Sequence, residues 1–173
     1  QTEREIKEQL EAKAQTDSLT GVYNSATSHQ RMRQALMAEG RDGSGAMIIM
    51  DIDYFKQIND YLGHYTGDQV LKETAGILKA CFRADDIVGR LGGDEFVVFL
   101  MEVNDPDLVK QRCTEVLDRV KNVTMEKHGQ EVTLSIGAAM AGGETDYDVL
   151  YRKADQALYQ IKKNGRSGVL VVE

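Results

Sequence analysis

Apolar positions along the chain follow two rhythms, one near 3.6 residues and one near 2. Over residues 3–15, Ile6, Leu10 and Ala14 recur at helical spacing in a charged stretch. That stripe is too narrow to build a core, so two readings stand: a helix docked on the domain, or the end of a coiled coil arriving from upstream. A turn-rich stretch, Asp17-Ser-Leu-Thr-Gly-Val-Tyr-Asn24, comes next. Residues 27–39 place Met32, Ala35 and Leu36 on one helical face, and a glycine-rich loop covers 40–45. Residues 47–52 are a near-continuous apolar run that ends in Asp51-Ile52-Asp53, which predicts a buried strand. Over 68–82 a helical face carries Val70, Leu71, Thr74, Ile77, Leu78, Cys81 and Phe82. Two strand-like runs follow, 86–91 and 96–101, joined by Gly92-Gly93-Asp94-Glu95. Pro106 marks a helix start, and Val109, Cys113, Val116, Leu117 and Val120 continue that helix inward. Alternation over 132–138 predicts a half-buried strand. A last helix over 147–163 and a strand over 169–172 close the sheet.

This order is β-α-β-β-α-β with extra end elements. It predicts an α+β domain on the split βαβ, ferredoxin-like plan, with helices over one face of a mainly antiparallel sheet. In that plan the first strand neighbours the hairpin, so Asp51 converges with the Asp94-Glu95 pair. No repeat or low-complexity segment is visible, and the single proline leaves little room for a linker. One domain over 17–173 is expected, preceded by a helix over 1–16.

Composition narrows the function. A length of 173 residues supports one real core. The net charge of -7 argues against a general nucleic-acid binder, which needs a basic face. The longest apolar runs are strand-length, so no membrane contact is expected from this segment. Cys81 and Cys113 fall on apolar helix faces far apart, which fits reduced core thiols in the cytoplasm rather than a disulfide or a metal pair. The start at Gln1 leads us to expect a segment upstream.

Gly92-Gly93 between two apolar runs is a hairpin signal, because glycine reaches positive φ without steric penalty. Absent side chains also leave room for a ligand near the backbone. Asp94 and Glu95 therefore stand at the lip of a sheet, where carboxylates hold divalent cations. Upstream, Asp51-x-Asp53-x-Phe55-Lys56-x-x-Asn59-Asp60 is followed by Gly63-His64-x-x-Gly67-Asp68. An isolated Asp-x-Asp is an ordinary solvated strand end; the three strings together are specific.

From about Asp17 to the C-terminus the chain resembles the GGDEF family, the bacterial diguanylate cyclases. The resemblance implies a fold similar to the palm of class III nucleotide cyclases, and condensation of two GTP into cyclic di-GMP with release of two pyrophosphates. It implies two divalent ions, Mg²⁺ or Mn²⁺, held by Asp51, the Ile52 carbonyl and Asp94. Asp94 takes the proton of the 3′-hydroxyl in that reading, with Glu95 or water as rivals. Backbone N–H groups of Tyr54, Phe55 and Lys56 cradle phosphates, Lys56 adds charge to the transition state, and Gly92 and Gly93 border the nucleotide. Asn59 and Asp68 read guanine, since a carboxylate accepts from both N1–H and the exocyclic amine, which adenine lacks there. His64 matches a position near the nucleotide; alone it reads equally as a structural hydrogen-bonder. Lys162 and Arg166 match triphosphate ligands, although Lys162-Lys163-Asn164-Gly165 also reads as an ordinary helix C-terminus. Arg83-x-x-Asp86 has the spacing of the family's product-inhibition site, with Arg90 assisting. The chain departs from the family at Ser25, where arginine is usual, away from any metal or base role.

The expected partners are GTP, cyclic di-GMP as product and inhibitor, a second copy of the chain, and an upstream sensor domain. The expected setting is a cytoplasmic domain of a larger sensor protein, anchored in a membrane or free. Two rivals compete: a silent module that binds GTP or cyclic di-GMP without turnover, and a class III-like mononucleotide cyclase. The intact string over 92–96 weighs against the first, and Asp68 together with that string against the second.

Overall fold

The strand Ala46–Ile52 (β1) is the axis of the fold because it is apolar on both sides. Ala46, Ile48, Met50 and Ile52 enter one buried cluster, while Met47 and Ile49 enter another. Each such fully buried side chain contributes roughly 1.5–3 kcal/mol. The computed structural model describes residues 1–38 and 41–173. In chain order the other elements are α1 (Glu3–Gln15), α2 (Ser25–Met37), α3 (Phe55–Leu62), α4 (His64–Cys81), β2 (Ile87–Gly92), β3 (Glu95–Leu100), α5 (Pro106–His128), β4 (Leu134–Met140), α6 (Tyr147–Lys163) and β5 (Gly168–Val172). The sheet runs β2-β3-β1-β4-β5. All neighbours are antiparallel except β4 and β5, which are parallel.

Several expectations change. Helices cover both faces of the sheet rather than one: α4 and α5 pack on the first cluster, and α2 and α6 on the second. An apolar run without alternation, as in β1, requires a second layer. β4 is buried along its whole length rather than half-buried. Its small residues are not a solvent face but room for α6: a Cβ on Gly137 would lie 2.2 Å from Leu158 N and 2.5 Å from Ala154 O. The helix expected over 68–82 begins earlier, at His64, and a short helix, α3, precedes it. Gly63 joins the two with φ 91°, a conformation that suits glycine. α1 buries none of its residues, and its last turn is held by Asn24, whose Nδ2 donates to Ala14 O at 2.8 Å. The expected end of α2 at Glu39 and the loop start at Gly40 lie outside the described residues. Among the described residues no helix is long and apolar enough to cross a membrane.

Cys81 and Cys113 are both free and buried. Burial pushes the Cys113 thiol up to about 12 and raises Cys81 as well. Thiolate is the reactive form, so native protein should give no appreciable reaction with a disulfide reagent over minutes, and two thiols after denaturation. Rapid labelling of the native chain would contradict this packing.

Candidate active site

β1 delivers its last residues to one edge of the sheet. Asp51 faces Glu95 of β3 across the ladder, and Ile52 N–H donates to Asp94 O at 3.2 Å. The expected convergence of the first strand with the hairpin is therefore present. A register shift between Arg90 and Gly92 moves the turn one residue, so Gly93 and Asp94 form it and Gly92 stays in the strand. Gly92 has φ 143° and Gly93 φ 49°, and an added Cβ on either would meet nothing within 4 Å. The turn is left-handed and open to a ligand.

Asp51 lies on the same sheet face as Met47 and Ile49, toward α6. Lys162 of α6 pairs with its Oδ2. Its Oδ1 is buried with no hydrogen-bond partner among the described residues. An orphaned buried carboxylate oxygen is costly unless something cationic meets it. In a strand the carbonyl shares the side of its own N–H, which directs the Ile52 oxygen toward the Asp94 turn. Two carboxylates and a carbonyl are all-oxygen donors, and they fit a hard divalent cation.

The electrostatics agree with crowded anions. Burial, the largest cause, raises the Asp94 pKa; its own backbone hydrogen bond opposes this, the Asp53 charge adds to it and Arg90 opposes it. Burial also raises Glu95, and the charges of Asp155 and Asp94 raise it further. Burial and then the Arg166 charge lower the Lys162 pKa.

The chain after β1 turns sharply into α3. Tyr54 is its N-cap residue at φ 56°, and no side chain caps the helix. A helix start leaves its first N–H groups without intrahelical acceptors, so the N–H groups of Phe55 and Lys56 form a ready anion cradle. Lys56 is exposed and makes no ion pair among the described residues. Asn59 and Asp68 are brought to the α3–α4 pair, Asn59 half-buried and Asp68 exposed. His64 opens α4, is exposed, and has no side-chain partner among the described residues.

Residues 14–168 match the family described as diguanylate cyclase, GGDEF domain. The chain belongs to the GGDEF family. It is 35% identical over 162 residues to the diguanylate cyclase DgcS of Shewanella oneidensis, an alignment covering 92% of this chain and 53% of that protein. Against the diguanylate cyclase DgcP of Pseudomonas aeruginosa, identity is 36% over 161 residues, covering 89% of this chain and 23% of that protein. The GGDEF chain thus spans about half the length of one relative and under a quarter of the other. Among solved structures it is similar to the coiled coil and GGDEF domain of DgcB from Caulobacter crescentus in complex with c-di-GMP, with TM-score 0.87 and 29% identity over 97% of this chain and 91% of that one. It is also similar to the diguanylate cyclase SiaD of Pseudomonas aeruginosa in complex with its activator SiaC, with TM-score 0.79 and 30% identity over 97% of this chain and 65% of that one. These neighbours and the sheet order establish the α+β, nucleotide-cyclase-like palm.

The GGDEF site has a close approach that residue patterns alone do not reveal. A Cβ on Gly67 would lie 1.8 Å from Asn59 Oδ1 and 3.4 Å from the Phe55 ring. Gly67 is therefore the room in which the Asn59 amide sits. If Asn59 reads guanine, as the resemblance implies, Gly67→Ala should raise the KM for GTP about tenfold or more with a smaller change in kcat, because the Asn59 side chain must yield. Steady-state kinetics decide this; an unchanged KM would remove Asn59 from base recognition.

Arg83 and Asp86 occupy the turn before β2, on the rim of a cleft that Phe82, Leu108 and Arg112 also line. The Asp86 carboxylate is already engaged: it accepts from Arg83 N at 2.9 Å and Met101 N at 3.1 Å. Its first task is to close the turn. Arg90 stands near the other end of β2, away from that cleft. Its guanidinium donates to Gly93 O at 2.6 and 2.9 Å and pairs with Asp17 at 3.2 Å. It ties the Gly93 turn to Asp17, and no contact between Arg90 and Arg83 is present among the described residues. Arg112 went unnoticed in the sequence: it sits on the helical position before Cys113, and only the packing of α5 beside Cys81 brings it to the cleft, where it donates to Cys81 O at 3.2 Å. Ser25 opens α2 next to the cap Asn24.

Proposed function

We propose that the chain is a diguanylate cyclase domain, condensing two GTP into cyclic di-GMP. The observation that carries this reading is the orphaned Asp51 oxygen beside the Asp94 turn, at the end of a strand that runs straight into an uncapped helix start. One feature suits divalent cations and the other suits phosphates.

Asp51, Ile52 O and Asp94 would hold two divalent cations, Mg²⁺ or Mn²⁺. Bound there, such cations supply charge neutralisation on the α-phosphate and on the departing pyrophosphate. The N–H groups of Tyr54, Phe55 and Lys56 hold the β- and γ-phosphates, while Lys56, Lys162 and Arg166 offset their charge. Asn59 and Asp68 hold the guanine edge, with His64 beside them. The 3′-oxygen of one GTP forms a bond to the α-phosphorus of the other, and the bond from that phosphorus to the bridging oxygen breaks to release pyrophosphate. The 3′-hydroxyl proton passes to a carboxylate of the turn. Burial and neighbouring anions raise the proton affinity of both Asp94 and Glu95, and Glu95 is favoured as acceptor because it is not assigned to a cation.

Each chain offers one such site, and the product is two-fold symmetric. The working form is a C2 dimer with half-sites facing. The exposed Ile6 and Leu10 of α1 suit a coiled coil that sets this pairing from an upstream domain. Cyclic di-GMP acts back on the Arg83 cleft. Arg83→Ala should relieve product inhibition at least tenfold with little change in initial rate, since Arg83 is exposed and its side chain holds no structural bond among the described residues. Unchanged inhibition would point to another site.

The reading as a whole is tested by incubating the protein with Mg²⁺ and GTP and identifying the products. Cyclic di-GMP and two pyrophosphates are expected. A monocyclic nucleotide would favour a mononucleotide cyclase, and binding without turnover would favour a silent sensor module.

A further inference from the structure

The second carboxylate of Asp51-Ile52-Asp53 has no role in the scheme above, yet it is the more enclosed of the pair, at 5% exposure. Its Oδ1 accepts from Ser135 Oγ at 2.6 Å. Its Oδ2 accepts from Thr133 Oγ1 at 2.6 Å and from the backbone N–H of Ser167 at 3.0 Å. Both oxygens are committed to donors, in contrast to Asp51 with its orphaned oxygen.

The backbone around Asp53 is unusual. Among the described residues the non-glycine residues with left-handed backbone are Tyr54 at φ 56°, Arg166 at φ 65° and Ser167 at φ 47°. Tyr54 follows Asp53 in the chain, and Ser167 is bonded to it. Arg166 and Ser167 form the turn from α6 into β5. Two successive left-handed residues with side chains persist only where their surroundings hold them. Here the holders are Asp53, through Ser167 N–H, and Ile161 O, which accepts from Arg166 N at 2.9 Å. The outcome is that the Arg166 guanidinium lies over the Tyr54 ring, 5.0 Å from its centre. Strand β1 and the end of α6 are thus tied at the place where the free helix N–H groups and the two basic side chains meet.

We propose that Asp53 is a positioning residue: it ties the β1–α3 turn to the α6–β5 turn, so that Lys162, Arg166 and the α3 N–H groups face one polyphosphate. It acts through hydrogen bonds to Ser167, Thr133 and Ser135 and not as a cation ligand. The inference rests on the proposed triphosphate role of Lys162 and Arg166.

The test compares Asp53→Ala, Asp53→Asn and the Thr133→Val/Ser135→Ala pair, with Arg166→Ala as reference. Asp53→Ala should raise the KM for GTP at least tenfold with kcat changed less than threefold. Hydrogen exchange of the Ser167 amide should speed up at least tenfold. Asp53→Asn keeps an oxygen for Ser167 N–H and should restore most of both readouts. The hydroxyl pair should shift both in the same direction by less, and it decides the matter if Asp53→Ala does not fold. A loss of kcat in Asp53→Asn as deep as in Asp53→Ala would overturn the proposal in favour of an anionic cation ligand. An Asp53→Ala protein with unchanged KM and unchanged Ser167 exchange would overturn it outright. Should Arg166→Ala leave KM untouched, the phosphate role of Arg166 fails, and Ser167 exchange still decides whether Asp53 holds the turn.

Discussion

Asp94→Ala is expected to lower cyclic di-GMP synthesis by at least about a thousandfold while leaving the fold intact. The loss follows from the position: the carboxylate stands on an open turn, hydrogen-bonded through its backbone to the Ile52 N–H beside Asp51. Removing one anionic ligand from a cation site that neutralises a transferring phosphoryl group costs several kcal/mol of transition-state stabilisation, and each ~1.4 kcal/mol is tenfold in rate. The fold survives because the Asp94 carboxylate bonds only within its own residue, to its backbone N–H, while the bond to Ile52 comes from its carbonyl, which alanine keeps. The stability effect has a definite sign. Burial raises the Asp94 pKa in the folded chain. A carboxyl group with a raised folded pKa favours folding when protonated and disfavours it once pH has risen through that pKa. At neutral pH, without metal, the variant should therefore melt at the same temperature as the parent or slightly above it. Product analysis with a melting curve checks both halves; retained turnover would count against the metal assignment.

The second large effect is expected at a glycine of β4. Gly137→Ala should destabilise the domain by about 2–3 kcal/mol, a Tm drop on the order of 5–10 °C. An added Cβ would lie 2.2 Å from Leu158 N, 2.5 Å from Ala154 O and 2.7 Å from Leu158 Cα. All three are backbone atoms of α6, so no side chain can swing away and the helix itself must lift off β4. α6 carries Lys162 to Asp51 and Asp155 to the vicinity of Glu95, so activity should fall with stability. Unchanged Tm and unchanged turnover would show that α6 packs less closely than described.

What the residues alone disclosed follows from where the signals were strong. The hairpin was legible because two apolar runs flank paired glycines, and its pairing with β1 followed from the βαββαβ order. α3 was not, because eight residues with Phe55, Ile58 and Leu62 inward offer too few periods before Gly63 breaks the pattern. The second helical layer was hidden by small residues: Ser135, Gly137 and Ala139 resemble the polar half of an alternating strand, yet they are the floor under α6. The residues proposed for cation and guanine come from three linked strings, but strings do not report bonding. Arg90 was grouped with Arg83 by the resemblance, and no string reports its bond to the Gly93 carbonyl. Asp53 carried no role beyond its place in the Asp-x-Asp string, and it satisfies three donors. Gly67 and Arg112 depend on how helices sit against each other, which no local pattern encodes.

The proposed function requires Asp51 of β1 and Asp94 of the glycine turn to form one cation site serving GTP. A Mn²⁺ titration followed by electron paramagnetic resonance, with a non-reactive GTP analogue present, tests this on the parent chain and on Asp51→Ala and Asp94→Ala. Bound Mn²⁺ on the parent, with affinity at least a hundredfold weaker in each variant, is the predicted result. Equal Mn²⁺ affinity in all three proteins would contradict the account, whatever their turnover.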